Sequence, residues 1–383
     1  MKNPKKVCLL KHRMGATGGL EKSTWRIAHA FAKKGCDVTI VSSDKFDSNS
    51  PSYSYLNFAH LPCQKKLSVT RISEFDRKAQ KFLLENHFDI VFGMDRTRFQ
   101  THLRLGNGIH RAYLESRKQT DSFFKRLSFN VNPLHRLILS IEKESIESKE
   151  LRALFTNSHM VKDELFSAYD IQKEKVHVIH NGVEWKDLEY DFNSWLEKKP
   201  KHCASLKLDP STFHFLFIGN GYRRKGLDVL LKALSLIQHE DFHLSVIGKD
   251  KEINFYMHLA KKLHLENKVS FFGEQKEIKK FYQIADCLVI PSFYDPFANV
   301  TVEALAMGLF VVSSISNGGS EVLQESSGST LSSLLDIDEL SSLLKETLSI
   351  SKTWIRSQKI RDSVKHLDFS QQTATLVDIS LNS

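Results

Sequence analysis

The sequence predicts an α/β protein built as two doubly wound parallel-sheet domains facing across a cleft, and three observations predict it. Short apolar runs alternate with longer amphipathic ones, the alternation restarts near Phe213, and 383 residues exceed what one core normally organises. In the first half, KVCLLK (6–11) reads as a strand, GGLEKSTWRIAHAFAKKG (18–35) as a helix stopped by a glycine, and DVTIVSS (37–43) as the next strand, which makes a βαβ unit. FDIVFGM (88–94), RALFTNS (152–158) and KVHVIHNGV (175–183) read as further strands with polar exits.

The second series runs FHFLFIGNG (213–221) as strand, GLDVLLKALSLI (226–237) as helix, FHLSVIGKD (242–250) as strand and NFYMHLAKKLHL (254–265) as helix. It continues with KVSFFGE (268–274), the helix EIKKFYQIA (277–285), the strand DCLVIPS (286–292), the helix VTVEALAMG (300–308) and the strand GLFVVSS (308–314). The polar, Pro-bearing stretch after Gly182 marks the boundary, with domains expected at 1–185 and 186–360. The last segment, 361–383, is expected to pack back on the first domain.

With 41% hydrophobic and 26% charged residues the composition is that of a globular chain and not a disordered one. No apolar run approaches the ~18 residues of a membrane span, and Val7–Leu10 is too short for a signal-peptide core, so a cytoplasmic location is expected. The five cysteines are scattered without a CxxC, which argues against a disulfide framework and a zinc site. Residues 1–150 hold 27 basic against 15 acidic residues, while the remainder holds 27 against 30. The excess therefore lies in the first part and suits an anionic partner such as nucleic acid, a membrane surface or a phosphorylated substrate.

Open parallel sheets bind ligands beyond the carboxyl ends of their strands. There the stretch SFYDPFANVTVEALAMG (292–308) sets Asp295 and Glu303 eight positions apart around a loop that leads into a helix. Asn299 is the expected N-cap, and the N–H groups of Ala298 to Val300 would meet an anion at the positive helix end. The acids themselves suit hydroxyl groups of a sugar; the alternative is that Glu303 supports the helix start and Asp295 opens a turn. Arg223, Arg224 and Lys225 follow the first strand of the second series, where they would enclose a diphosphate or form a solvated turn. MGATGGLEKS (14–23) misses the phosphate-loop spacing and GNGYRRKG (219–226) misses the dinucleotide fingerprint. Asp336 and Asp338 read as a helix cap and not as a metal pair.

The order of the Gly18-Gly19 loop, VHVIHNGVE, FIGNGYRRKGLDVLLKAL, VIGKD, FFGEQKEIKKFYQIADCLVIPSFYDPFANVTVEALAMG and NGGSEVL resembles the family-four retaining glycosyltransferases, whose fold is the two-domain, Rossmann-like GT-B architecture. Within that family it is most similar to the lipopolysaccharide core glucosyltransferases. The resemblance implies transfer of a hexose from a UDP-sugar to a glycolipid or oligosaccharide acceptor, with no cofactor and no metal. It implies catalytic roles for Arg224, Lys225 and Asp295, with His110 at a position that faces the reacting sugar in some relatives. Donor binding is implied for Gly18, Gly19, Gly219, Gln275, Phe297, Ala298, Asn299, Val300 and Glu303. Asp295 would contact the donor sugar, Glu303 the ribose, and Arg224 with Lys225 the diphosphate. Two departures stand out: Asp295 is shorter than the commoner Glu, and Asn220 replaces an Arg. The segment 122–143 interleaves aromatic, aliphatic and basic residues and suits either peripheral contact with an anionic membrane or packing on its own sheet. A sugar-nucleotide 2-epimerase and a non-catalytic binding protein are the alternatives in function; nothing in the sequence supports a nucleic-acid motif.

Overall fold

The computed structural model describes residues 3–14, 19–45, 54–120, 126, 129, 131–334, 336–350 and 352–383. The chain divides into two compact units, residues 1–179 with 372–383, and residues 180–371.

The first unit carries a seven-stranded sheet of β1 (Lys6–Leu10), β2 (Asp37–Ser42), β3 (Asn57–His60), β4 (Ile90–Gly93), β5 (His102–Leu105), β6 (Ala153–Thr156) and β7 (Val176–Val178). Its spatial order is β3-β2-β1-β4-β5-β6-β7, and its recorded pairings are parallel. Strands buried on both faces must be apolar throughout, which is why KVCLL and ALFT carry runs and not alternations. The core of this unit joins Leu9, Ile27, Phe31, Ile40, Phe92 and Phe155 to Leu376 and Val377 of the last helix, Phe369–Asn382.

The second unit holds β8 (Phe213–Ile218), β9 (Phe242–Ile247), β10 (Val269–Gly273), β11 (Cys287–Ile290), β12 (Phe310–Ser314) and β13 (Gly328–Leu331), in the order β10-β9-β8-β11-β12-β13. Chain order reverses at β1/β4 in one sheet and at β8/β11 in the other, the places where open sheets leave a crevice.

The unit boundaries differ from the expected 185/186 and 360/361. Arg361 is buried, donates to the Trp185 carbonyl at 2.7 Å and lies 4.0 Å from the Trp185 ring centre, so residues 361–371 stay with the second unit. Val183 donates to Leu367 O at 2.9 Å and Phe369 donates to Val183 O at 3.0 Å, which ties the two crossing segments to each other. Of the expected closing segment, only residues from 372 onward belong to the first unit.

Candidate active site

The site is built on the β8/β11 switch point. The turn after β8 presses against the exit of β11: Gly226 has φ +77°, and a Cβ there would lie 1.8 Å from the Pro291 carbonyl oxygen. Only glycine satisfies both demands. A Cβ on Gly219 would lie 2.8 Å from Lys225 Cγ, so the bare glycine backbone makes room for the lysine stem. Lys225 is thereby laid into the protein with 6% of its surface exposed.

Its ammonium donates to Asp295 Oδ2 at 2.6 Å, and Arg224 donates to the same oxygen at 2.9 Å and to Tyr294 O at 2.9 Å. Asp295 Oδ1 accepts the Phe297 N–H at 3.2 Å. Burial raises the Asp295 carboxyl, but Lys225 and Arg224 outweigh it and hold the group below the usual carboxylate range. Burial lowers Lys225, with Arg224 adding to that and Asp295 opposing it. The three residues read from sequence as separate contacts to a sugar and a diphosphate therefore touch one another. An ammonium has three donors and a guanidinium five, so the pairing with Asp295 orients the cations without using all their N–H groups.

The helix that follows is Asn299–Ala306, and its N-cap position is Ala298, not Asn299 as expected. The capping oxygen comes from another segment. Asn317 Oδ1 accepts the N–H of Ala298 at 2.9 Å and of Gly319 at 3.1 Å, while its amide donates to Ser313 Oγ at 2.9 Å and Thr301 Oγ1 at 3.2 Å. Asn299 instead receives a hydrogen bond from Asn181 at 2.8 Å. The side chains of Phe297 and Ala298 are buried in the core and Val300 packs against it, so these positions offer a ligand chiefly their backbone. The first N–H groups of a helix lack intrahelical partners and carry its positive end, which suits an anion here.

Glu303 lies on the same helix and its Oε2 accepts the Tyr282 hydroxyl at 2.7 Å. Burial, then the charge of Glu303, pushes the Tyr282 phenol well up, so it stays a donor that fixes the carboxylate. Gln275 sits in the loop after β10 and donates to Phe272 O at 2.6 Å. Asn220, where relatives were expected to carry Arg, accepts the Lys249 N–H at 2.7 Å and so links two loop ends. Asp336 caps the helix Ile337–Leu348 by accepting the Glu339 N–H at 2.8 Å.

In the first unit, His110 opens the helix His110–Thr120, and its N–H donates to Glu142 at 2.6 Å. Burial, then Arg96, His135 and Arg117, lowers its imidazole to about 4, so the ring is neutral at neutral pH. Gly19 begins the helix Gly19–Lys33; Gly18 lies outside the described residues. So do Phe123 and Phe124 of the segment 122–143, while Phe129, Ile138 and Ile141 are buried.

Tyr282, Asn317 and Asn181 are the residues that the sequence reading did not assign. Asn317→Ala strands two buried N–H groups at about 1–3 kcal/mol each. We expect a clear loss of stability in urea unfolding, with Asn317→Asp milder because it keeps the accepting oxygen.

The family described as Glycosyl transferases group 1 matches residues 198–364, and Glycosyltransferase Family 4 matches residues 17–186. The chain belongs to the group 1 glycosyltransferases. This glycosyltransferase is 22% identical to the lipopolysaccharide glucosyltransferase WaaG of Escherichia coli strain K12, over 87% of each chain. It is 31% identical to an uncharacterized glycosyltransferase, MJ1607, of Methanocaldococcus jannaschii, a match that spans only 47% of either chain. The crystal structure of WaaG superposes with a TM-score of 0.76 at 19% identity, covering 98% of this glycosyltransferase and all of WaaG, and the fold is the GT-B class. Anabaena HepE, solved in complex with UDP and glucose, gives a TM-score of 0.67 at 16% identity over 99% of both chains. Among the described residues no helix is long and apolar enough to cross a membrane.

Proposed function

We propose that the protein transfers a hexose, with glucose the leading candidate, from a UDP-sugar to a lipopolysaccharide core or related glycolipid acceptor at the cytoplasmic membrane face. Retention of anomeric configuration and independence from metal are part of this reading. The observation that carries it is the convergence of Lys225, Arg224 and the Asn299–Ala306 helix start on one edge, with Glu303 held ready on the same helix.

The diphosphate would meet the remaining N–H groups of the two cations and the helix backbone, and Glu303 would accept from ribose hydroxyls. As the bond from the anomeric carbon to the diphosphate breaks, negative charge grows on the departing phosphate. Cations already oriented by Asp295 stabilise that charge without reorganising, which is electrostatic preorganisation. Attack from the same face lets the departing phosphate accept the acceptor's proton, so no protein nucleophile is required. The names of WaaG, a glucosyltransferase, and of HepE in complex with UDP-glucose favour the UDP-glucose choice.

The test is a panel of UDP-, GDP- and ADP-sugars offered with truncated lipopolysaccharides in the presence of a chelator. The expected result is transfer from one UDP-hexose, with NMR of the product showing the donor's anomeric configuration. Conversion of the nucleotide sugar without acceptor would instead indicate an epimerase.

A further inference from the structure

Tyr282, which holds the Glu303 carboxylate, belongs to the six-residue helix Lys279–Ile284. A helix that short does not stand by itself, since isolated helices below about 12 residues are marginal even in favourable sequences. Its position is set by what pins it, and it is pinned at both ends. At its start Lys279 pairs with Asp191 at 2.6 Å. Near its end Gln283 donates to Asp191 O at 2.8 Å and accepts from His202 at 2.9 Å.

The last turn is closed from outside by Lys352. Its Nζ donates to Ala285 O at 2.8 Å and to Tyr282 O at 3.3 Å, and lies 4.4 Å from the centre of the Trp195 ring. The final carbonyls of a helix lack intrahelical partners and carry its negative end, so a lysine there is stabilising. The residue after Ala285 is held as well: Asp286 accepts from Lys199 at 3.0 Å.

Lys352 and Glu303 thus hold opposite ends of one residue. Tyr282 is 1% exposed, its carbonyl accepts from Lys352, and its hydroxyl donates to Glu303 Oε2 at 2.7 Å. A ring enclosed to that degree moves only with the turn that carries it, and Lys352 caps that turn. A tyrosine fixed in this way fixes the carboxylate in turn. A site built to hydrogen-bond a hydroxyl rejects the analogue lacking it, because its acceptor is left unpaired; an acceptor free to turn to water loses that power.

We propose that Tyr282 and Lys352 are positioning residues that make Glu303 selective for the ribose diol of the donor nucleotide. The proposal rests on the donor-binding reading above and adds the origin of its preference for ribonucleotides. Lys352 acts through Tyr282, and Tyr282 acts through Glu303.

The experiment is calorimetric titration of UDP and 2′,3′-dideoxy-UDP into the full chain, read as the ratio of the two dissociation constants. Wild type should bind UDP about tenfold or more tightly than the dideoxy nucleotide, as when hydrogen bonds to a charged group are lost. Tyr282→Phe keeps the ring and removes the hydroxyl; it should cut the ratio by about threefold or more, chiefly by weakening UDP. Lys352→Met, which keeps an unbranched stem beside Trp195, should act in the same direction. Lys225→Ala should weaken both nucleotides and leave the ratio unchanged. A merely structural role for Tyr282 or Lys352 would lower stability in urea or weaken both nucleotides alike, without moving the ratio. Equal binding of the two nucleotides by wild type, or a wild-type ratio in Tyr282→Phe, would overturn the proposal, and a wild-type ratio in Lys352→Met would remove Lys352 from it. Absence of UDP binding in wild type would overturn the donor reading and this proposal with it, an outcome distinct from a ratio that fails to move.

Discussion

Lys225→Ala is expected to lower sugar transfer by about 10²- to 10³-fold, the effect of removing one preorganised donor from a developing negative charge. The lysine is buried beside Gly219, and Arg224 cannot substitute for it because its side chain is 40% exposed and holds Tyr294 O as well. Lys225→Arg should not restore activity, since a planar guanidinium needs more room than the slot over Gly219 offers. Single-turnover kinetics with a UDP-hexose would place the loss in the chemical step, and unfolding curves run in parallel would separate it from a folding defect.

The second large effect concerns stability. Asp295→Ala leaves Lys225 buried without its nearest counter-charge, and breaking a buried pair in this way costs about 3–5 kcal/mol. The pH dependence follows in sign. Asp295 is held below its ordinary range in the folded protein, so its contribution is present above the unfolded value of ~3.9 and is lost as pH falls through the folded one. Urea unfolding of the wild type and Asp295→Asn should therefore differ most near neutrality and converge in strong acid. A constant difference across that range would mean that the carboxylate contributes packing and not charge.

The parallel strands were legible where the sheets bury both faces, because FHFLFI, CLVI and ALFT are unbroken apolar runs. Three strands did not announce themselves. NFAH at one sheet edge, HLRL and GSTL are short and partly polar, and they are strands because of the neighbours they pair with and not because of their own composition. The helix Ser68–Glu85 is also absent from the predicted elements; its mean character is polar, and only Phe75, Asp76 and Ala79 are buried.

For the candidate site, the local pieces were readable: a basic turn after a strand, and two acids around a helix start. What sequence could not supply was which groups touch. Arg224 and Lys225 reach Asp295 across 71 and 70 positions, Tyr282 reaches Glu303 across 21, and the cap at Ala298 comes from Asn317, 19 positions on. Asn299 looked like a cap by residue type, yet a buried asparagine from the next loop occupies that role.

The central claim is that the carboxyl edge of the second unit binds a nucleotide through Lys225 and Glu303. Calorimetric titration of UDP into wild type, Lys225→Ala and Glu303→Gln, with chelator present, tests it most directly. Binding in the wild type without metal is expected, with a loss of more than about tenfold in each variant, as when a charge-assisted hydrogen bond is removed. UDP binding that is unchanged in both variants would contradict it.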